Sequence, residues 1–490
     1  MTCTLPDANP SGTSSLPKPT FEFKDFYLGC LAQASYLLGS EGQAAIVDPR
    51  RDVDIYIEEA KARGLAIRYV IETHLHADFV SGHRELAERT GATVLISHRA
   101  TAAFPHRGVK DGEVFEVGAL RLKFLETPGH TPESVSILVT DTRVSDQPQM
   151  VLTGDTLFIG DVGRPDLLGS KGVTAEHMAG LLYDSLHAKL LPLADDVLVY
   201  PAHGAGSLCG KNLSKDSFST MGRQKVSNVA LQPMTRDEFV AFLTKDAPEI
   251  PRYFPMDVEI NRQGAPTLEP GMVPKALTAV EVRKLRDGGA VVLDVRSSED
   301  YAQGSVPQSL NIGLGGQFAS WAGTLVDAQR DLIVVAADEA AAGEARVRLA
   351  RVGLEKVAGW LAGGVEAWRA QGYPVDTTAQ VTVRELQDQL SAPAAKLESI
   401  QVVDVRRLGE WTGGHIAGAI HAPLHRLEDH AAYLDPTRKT YVVCGGGYRS
   451  PMAVEILREL GIRDIVDVKG GMAEWKAQNL PTTPAEPAAV

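Results

Sequence analysis

Between Phe21 and about Tyr253, short apolar runs alternate with polar turns: Ala44–Val47, Tyr69–Glu72, Thr93–Ser97, Leu120–Leu125, Val135–Thr140, Met150–Thr153 and Val197–Tyr200. Runs this short, bounded by turn residues, predict strands, and the helical stretches between them predict helices packed outside the sheets, an α/β layered domain. The first 19 residues, rich in Ser, Thr and Pro without apolar periodicity, predict a flexible tail. Asn261–Pro274, with three prolines among few apolar residues, reads as linker.

Beyond that linker the chain repeats itself, a feature that decides architecture. Val291-Val-Leu-Asp-Val-Arg296 returns 110 residues later as Gln401-Val-Val-Asp-Val-Arg406. Gly363-Gly-Val-Glu-Ala-Trp368 returns 107 residues later as Gly470-Gly-Met-Ala-Glu-Trp475. Each copy has a buried-type strand, an acidic turn, a second strand (Leu332–Ala336; Tyr441–Cys444), a helix and a third strand. Strands alternating with helices predict parallel sheets closed by right-handed crossovers. The expected division is a tail at 1–19, a first domain at 20–255, a linker at 256–275, repeats at 276–376 and 377–484, and a short tail at 485–490.

The composition changes this picture little but narrows the chemistry. A chain of 490 residues suggests about three domains, and no apolar run approaches the roughly 18 residues of a membrane span. The net charge of −13, without a basic run, disfavours nucleic acid and anionic lipid and favours a small-molecule task. No basic-then-apolar leader is evident at the N-terminus, so a cytoplasmic location is expected. Four cysteines, Cys3, Cys30, Cys209 and Cys444, are too few for a disulfide framework and read as free thiols.

Four segments of the first domain carry metal-binding side chains at strand ends: Glu72-Thr-His74-Leu-His76-Ala-Asp78-Phe79, Thr127-Pro-Gly-His130-Thr, Thr153-Gly-Asp155-Thr and Tyr200-Pro-Ala-His203-Gly. A single histidine of this kind is more often a surface or capped residue. Four such loops converging from one scaffold are the usual way a sheet presents a metal site.

With these motifs the chain resembles the metallo-β-lactamase superfamily from roughly Phe21 to Tyr253, which implies an αββα sandwich. Members that hold two metals carry a histidine where this sequence has Phe79, so one ion per chain is expected. Within the superfamily the pattern is most similar to persulfide dioxygenases, whose mononuclear Fe(II) ligands map onto His74, His130 and Asp155. Two histidines and one carboxylate form the facial triad of non-haem iron oxygenases, although the same ligands would serve Zn²⁺ equally well. His76, Asp78 and His203 are then expected to orient ligands or waters around the ion. The resemblance gives Arg164 the carboxylate of a thiol substrate. Glutathione-specific relatives have an aromatic residue beside the histidine equivalent to His203, and Gly204 here leaves room for a different thiol. Cys30 and Cys209 are candidate relay thiols, with small buried hydrophobes as the plainer reading.

In the last repeat, Tyr441-Val-Val-Cys444-Gly-Gly-Gly-Tyr-Arg449-Ser450 puts a cysteine at a strand end, in a glycine-rich loop, before a helix. Inward amides and a helix N-terminus favour an anion, and such settings lower a thiol from about 8.5 to about 3.5–7.5. With Asp404-Val-Arg406, Gly414-His-Ile-Ala-Gly-Ala-Ile420 and Gly470-Gly-Met-Ala-Glu-Trp475, the stretch from about Val381 to Pro481 resembles rhodanese sulfurtransferases. The resemblance makes Cys444 the persulfide carrier, Gly445, Gly446, Gly447 and Tyr448 its cradle, and Arg449 a holder of the anionic donor or acceptor. In the first repeat Ala336 stands opposite Cys444 and Ala341 opposite Arg449, so that copy is expected to be an inactive spacer.

The expected whole is a metallo-β-lactamase-like α/β sandwich followed by two rhodanese-like α/β domains with parallel sheets. Its expected task is oxidation of a low-molecular-weight thiol persulfide by O₂ to sulfite, then sulfur transfer through Cys444 to or from thiosulfate. Relatives of the metal domain imply a homo-oligomer. The alternatives are a glyoxalase II-like thioester hydrolase with a rhodanese module, and a persulfide carrier or sensor with a vestigial metal domain.

Overall fold

The computed structural model describes residues 19–484 except 168, 170, 171, 246–248, 269–272 and 392–398. Most of the N-terminal tail, Cys3 included, and the tail at 485–490 lie outside the described residues. The chain forms two compact units that divide at Pro270, with Leu349–Gly353 counted in the first.

Two six-stranded sheets make up the first unit. The sheet-forming segments Gln43–Val47, Ala66–Ile71, Thr93–Ser97, Leu120–Glu126, Val135–Asp141, Met150–Gly154 and Leu198–Pro201 fall on the apolar runs read from sequence. One face of each sheet meets the other in a shared core that includes Leu38, Val47, Ile71, Phe124, Ile137 and Leu152. The outer faces bury helices: Asp54–Ala62 with Tyr56 on one side, and Ala175–Ser185 and Arg236–Thr244 with Leu182 and Phe239 on the other. This is the αββα sandwich that the resemblance implied.

Gln33–Ser40 is a strand buried along its whole length that the apolar pattern does not signal. Its polar residues find partners inside: Gln33 Nε2 donates to the Asp48 carbonyl at 2.8 Å, and the Ser35 and Tyr56 hydroxyls lie 2.6 Å apart. Buried polar groups are tolerated when bonded in this way. A second difference concerns the linker expected at 256–275, because Phe254–Gln263 is a helix. Asn261 fixes that helix to the loop after Ile71, donating to the carbonyls of His76 and Phe79 at 2.8 Å each and accepting from Ser81 N–H at 2.7 Å. Only tertiary contact reveals this, since the helix is too short to be stable alone.

The second unit holds two five-stranded sheets, every pairing parallel. Numbering strands within each repeat, both sheets run 1-5-4-2-3. The recurring motifs make equivalent bonds. Arg296 forks onto Asp294 and reaches the Gly304 carbonyl, as Arg406 does with Asp404 and Gly414. Buried Trp368 and Trp475 donate their indole N–H to the carbonyls of Pro374 and Pro481. Among the described residues no helix is long and apolar enough to cross a membrane.

Candidate metal centre and thiol site

His74, His130 and Asp155 meet at the strand ends of the first unit, each 1% exposed. The Nε2 atoms of His74 and His130 lie 3.8 and 3.3 Å from Asp155 Oδ2. Hydrogen bonds on the far side of each ring select the tautomer. Thr73 Oγ1 donates to Asp48 Oδ2 at 2.9 Å and so accepts from His74 Nδ1, 3.0 Å away. His130 Nδ1 donates to the Arg164 carbonyl at 2.9 Å. Both Nε2 lone pairs therefore face the same space as the Asp155 carboxylate.

His74 Nε2, His130 Nε2 and both Asp155 oxygens have no hydrogen-bond partner. Four buried polar atoms aimed at one another are costly unless something binds them, and two imidazoles with a carboxylate suit a divalent first-row ion. Burial, with the neighbouring His76 ring second, pushes His74 well below the usual imidazole range, and burial also lowers His130. Both rings are held in the neutral form that ligates metal.

Tight backbone approaches fix the set. Gly154 has φ +52°, and a Cβ there would come 2.6 Å from Thr73 Oγ1. A Cβ at Gly163 would run into the Asp155 carbonyl and the His130 ring. Asp48, at φ +52°, accepts Thr73 N–H at 2.7 Å as well as the Thr73 hydroxyl. A non-glycine residue in that region is uncommon and clusters at functional sites. Neither Asp48 nor Thr73 carries a motif signal, because their roles depend on the fold.

His76 turns its Nε2 toward Asp48 Oδ1 and Glu72 Oε2, at 3.2 and 3.3 Å. Burial opposes its charge, but the two carboxylates hold it well above the usual range. Glu72 is in turn brought down to about 2: His76 and His83 outweigh the rise from burial. Phe79 lies against His76, ring centroids 4.3 Å apart, and is fully buried. Asp78 Oδ2 and Asp155 Oδ1 approach His203 Nε2 at 3.4 and 3.6 Å.

Two expectations meet a different geometry. Arg164 is 3% exposed and its fork is engaged by Asp166 through two 2.7 Å bonds, with Nη1 on the Leu208 carbonyl at 3.2 Å. Asp166 and the Leu208 carbonyl thus take three of the five guanidinium N–H groups, and the Arg164 backbone carbonyl accepts from His130 Nδ1. The space expected beside Gly204 is also taken: a Cβ there would come 2.9 Å from the Tyr27 hydroxyl. An aromatic residue from the first strand thus borders the His203 loop, and 177 positions of sequence separation hide it. Cys30 and Cys209 are both buried.

In the second unit, buried Cys444 follows the strand Lys439–Val443 and precedes the helix Ser450–Glu459. Gly447 N–H donates to its Sγ at 3.1 Å, and Sγ lies 3.6 Å from Ser450 Oγ. The second glycine motif supports the loop from behind. Met472 and Ala473 N–H donate to the carbonyls of Cys444 and Gly445 at 2.8 Å each, and a Cβ at Gly471 would strike the Cys444 carbonyl. Arg449 forks onto Glu410 at 2.6 and 2.7 Å. Against burial, Arg449 holds Glu410 below the usual carboxylate range. The cation expected to hold an anionic sulfur species is therefore already paired, by a residue that sequence reading did not single out.

The first repeat differs by more than its alanines. Its helix Glu339–Ala350 starts three residues after Ala336, whereas Ser450 stands six residues after Cys444. Ala341 N–H is bonded to Asp338 Oδ1 in the first turn. The segment is too short to form the cradle.

Residues 28–203 match the family described as the metallo-beta-lactamase superfamily, and residues 278–371 and 382–478 match the rhodanese-like domain. The persulfide dioxygenase ETHE1, mitochondrial, of Bos taurus is 29% identical over 218 residues, 43% of this chain and 76% of that protein. The hydroxyacylglutathione hydrolase GloC of Haemophilus influenzae is 26% identical over 215 residues, 40% of this chain and 90% of that protein. A crystal structure of a metallo-beta-lactamase from Staphylococcus aureus is similar with a TM-score of 0.63 at 33% identity, covering 70% of this chain and 99% of its own.

Proposed function

The chain belongs to the metallo-β-lactamase superfamily and carries rhodanese-like domains behind the metal domain; from that premise we propose a two-site enzyme of sulfur metabolism. Its first site oxidises a low-molecular-weight thiol persulfide, R–S–SH + O₂ + H₂O giving R–SH + SO₃²⁻ + 2 H⁺. Its second site moves sulfane sulfur between Cys444 and sulfite, Cys444–S–S⁻ + SO₃²⁻ giving Cys444–S⁻ + S₂O₃²⁻, in either direction. The observation that carries the reading is the set of unpartnered, buried His74, His130 and Asp155 atoms in a chain that also cradles a cysteine thiol.

Iron bound by those three residues would supply the redox chemistry that joins persulfide sulfur to O₂. The chain's own residues prepare the place. Thr73 and the Arg164 carbonyl aim the two imidazoles inward, and burial keeps them neutral. Phe79 occupies the position from which a second-site imidazole would reach, and Phe79 and Phe158 flank the His203 ring with centroids 6.4 and 6.3 Å away. At the second site, the Gly447 amide and the start of the helix at Ser450 stabilise negative sulfur, with no net charge from the Arg449–Glu410 pair. A relay at a cysteine persulfide splits the transfer into two nucleophilic steps.

Similarity to the GloC hydrolase favours a second reading, thioester hydrolysis; Phe79 counts against it. Oxygen uptake by anaerobically purified protein separates the two. Uptake on adding glutathione persulfide or coenzyme A persulfide is the expected result, and thioester cleavage without uptake would overturn the proposal.

A further inference from the structure

Asp467 is a buried carboxylate on the strand Ile465–Val468, which lies beside the strand that leads to Cys444. It pairs with Val442 on one side and Gln380 on the other, and is 2% exposed. Val466 and Val468 point into the core shared with Trp475. The alternation of a strand therefore turns Asp467 to the opposite face, against which the helix Ser450–Glu459 packs.

Asp467 Oδ2 accepts from Gln380 Nε2 at 2.9 Å, and Oδ1 has no hydrogen-bond partner. Burial raises this carboxyl above the usual carboxylate range, and the nearby Ser450 hydroxyl and the Gln380 amide work against that rise. Ser450 is fully buried, and its Oγ accepts from the Cys444 thiol 3.6 Å away. A hydroxyl accepts and donates at once. With its oxygen taken by S–H, the Ser450 hydrogen is left to turn toward Asp467, so thiol, hydroxyl and carboxylate stand in succession.

The first repeat serves as an internal comparison. Trp360 holds the place of Asp467 in its sheet, paired with Val334 and Ala276 as Asp467 is with Val442 and Gln380. At the offset of 108 that sets Ala336 opposite Cys444, Ala342 stands opposite Ser450. The copy without the thiol lacks both of the other members.

We propose that Asp467, acting through the Ser450 hydroxyl, accepts the Cys444 proton as the thiol attacks sulfane sulfur, a step that rests on the sulfur-transfer reading above. Cys444–SH + Asp467–COO⁻ + S₂O₃²⁻ gives Cys444–S–S⁻ + Asp467–COOH + SO₃²⁻. The new bond joins Cys444 to the sulfane sulfur, and the thiosulfate S–S bond breaks with its electron pair leaving on sulfite. The thiol proton passes to Ser450 Oγ while the serine proton passes to Asp467, and both return when the persulfide gives up its sulfur. Cys444 and Asp467 together carry one negative charge before and after, which avoids the cost of burying two. Glu299, on the helix Ser298–Gln303 of the first repeat, and Lys469 are the charged groups that face Asp467, and Arg449, paired with Glu410, faces the thiol.

The test alkylates the full chain with iodoacetamide and follows the Cys444 peptide by mass spectrometry. Two groups that share a proton titrate as a pair, so between about pH 5 and 9 the wild-type rate should rise in two steps, and that of Asp467→Asn, which keeps the shape, in one. Ser450→Ala should likewise leave one step, which keeps the test decisive if Asp467→Asn does not unfold cooperatively. In transfer from thiosulfate, Asp467→Asn should lower kcat/KM by about tenfold or more near about pH 6, with the loss narrowing as rising pH ionises the thiol unaided. A single step with one midpoint in all three proteins, or an equal loss of transfer at every pH, would overturn the proposal. A wild type that alkylates in two steps yet transfers no sulfur would uphold the proton path and overturn the transferase reading.

Discussion

The phenolic hydroxyl of Tyr448 donates a 2.7 Å hydrogen bond to the carbonyl of Gly313, so the loop that carries Cys444 is tied to the first rhodanese repeat. Gly316, at φ +58°, lies beside the same ring: a Cβ there would come 3.4 Å from it. Arg348, 2% exposed, bonds the Leu314 carbonyl and stacks its guanidinium over Phe318, fixing this stretch from within its own repeat. The repeat that lacks a thiol thereby supports the one that has it, a closer role than that of a spacer. Tyr448→Phe is expected to raise KM for thiosulfate severalfold and cost about 0.5–1.5 kcal/mol of stability, the usual worth of one hydrogen bond. Steady-state sulfur transfer to cyanide and thermal unfolding of the variant check both. Unchanged values in the two assays would show that the bond does not order the loop.

Cys444→Ser should abolish sulfur transfer and leave persulfide-dependent oxygen uptake in place, so that sulfite accumulates. Parallel loss of both activities would contradict two separable sites. Ala336→Cys should create no second transferase: the helix at Glu339 begins too soon after it to leave a loop of amides around sulfur. Measured transfer by the double variant Ala336→Cys, Cys444→Ser checks this.

Glu410→Gln removes the partner of Arg449 and leaves one positive charge beside the Cys444 loop. Thiosulfate should then bind more tightly at low salt, with the gain falling as ionic strength shortens the Debye length from about 30 Å at 0.01 M to about 10 Å at 0.1 M. KM for thiosulfate at the two ionic strengths is the measurement. A KM that rises and ignores salt would mean that the pair serves only to shape the loop.

The pH response of the metal domain follows from His74 and His130, both lowered by burial. A free imidazole titrates near about 6.5, so below that value the unfolded chain binds protons that these two rings refuse. Their contribution to stability is present above about 6.5 and is lost as pH falls toward their folded values. His76, raised by Asp48 and Glu72, has the opposite sign: its contribution is present below about 6.5 and is lost as pH rises through its folded value. Iron should be lost at lower pH than an ordinary imidazole titration would give, because burial lowers both ligand rings. Metal analysis after desalting at each pH tests this, and loss of iron following an ordinary imidazole titration would contradict it.

The layered fold was legible because its strands are apolar runs, and the tandem repeat because its Asp-Val-Arg and Gly-Gly motifs recur at near-constant spacing. The candidate metal ligands were legible because each sits in a short motif at a strand end. What stayed hidden depends on through-space partners. Asp48 selects the His74 tautomer through Thr73 from 25 residues upstream, and Glu410 engages Arg449 from 39 residues away. Tyr27 fills the space at Gly204 from the far end of the domain. Arg164 illustrates the other limit: its motif does not tell that Asp166 accepts from two of its guanidinium N–H groups.

Asp155 is the residue on which the proposed metal centre turns, since its carboxylate faces both histidines. Asp155→Ala should lose iron and oxygen uptake together while Cys444-dependent transfer from thiosulfate survives. Loss of transfer as well would point to unfolding of the whole chain.

The most direct test of the central claim counts metal, oxygen and sulfite in one preparation of the wild-type protein given thiol persulfide. The account predicts about one iron per chain and one O₂ consumed for each sulfite formed. Two zinc ions per chain, with thioester hydrolysis and no oxygen consumption, would contradict it.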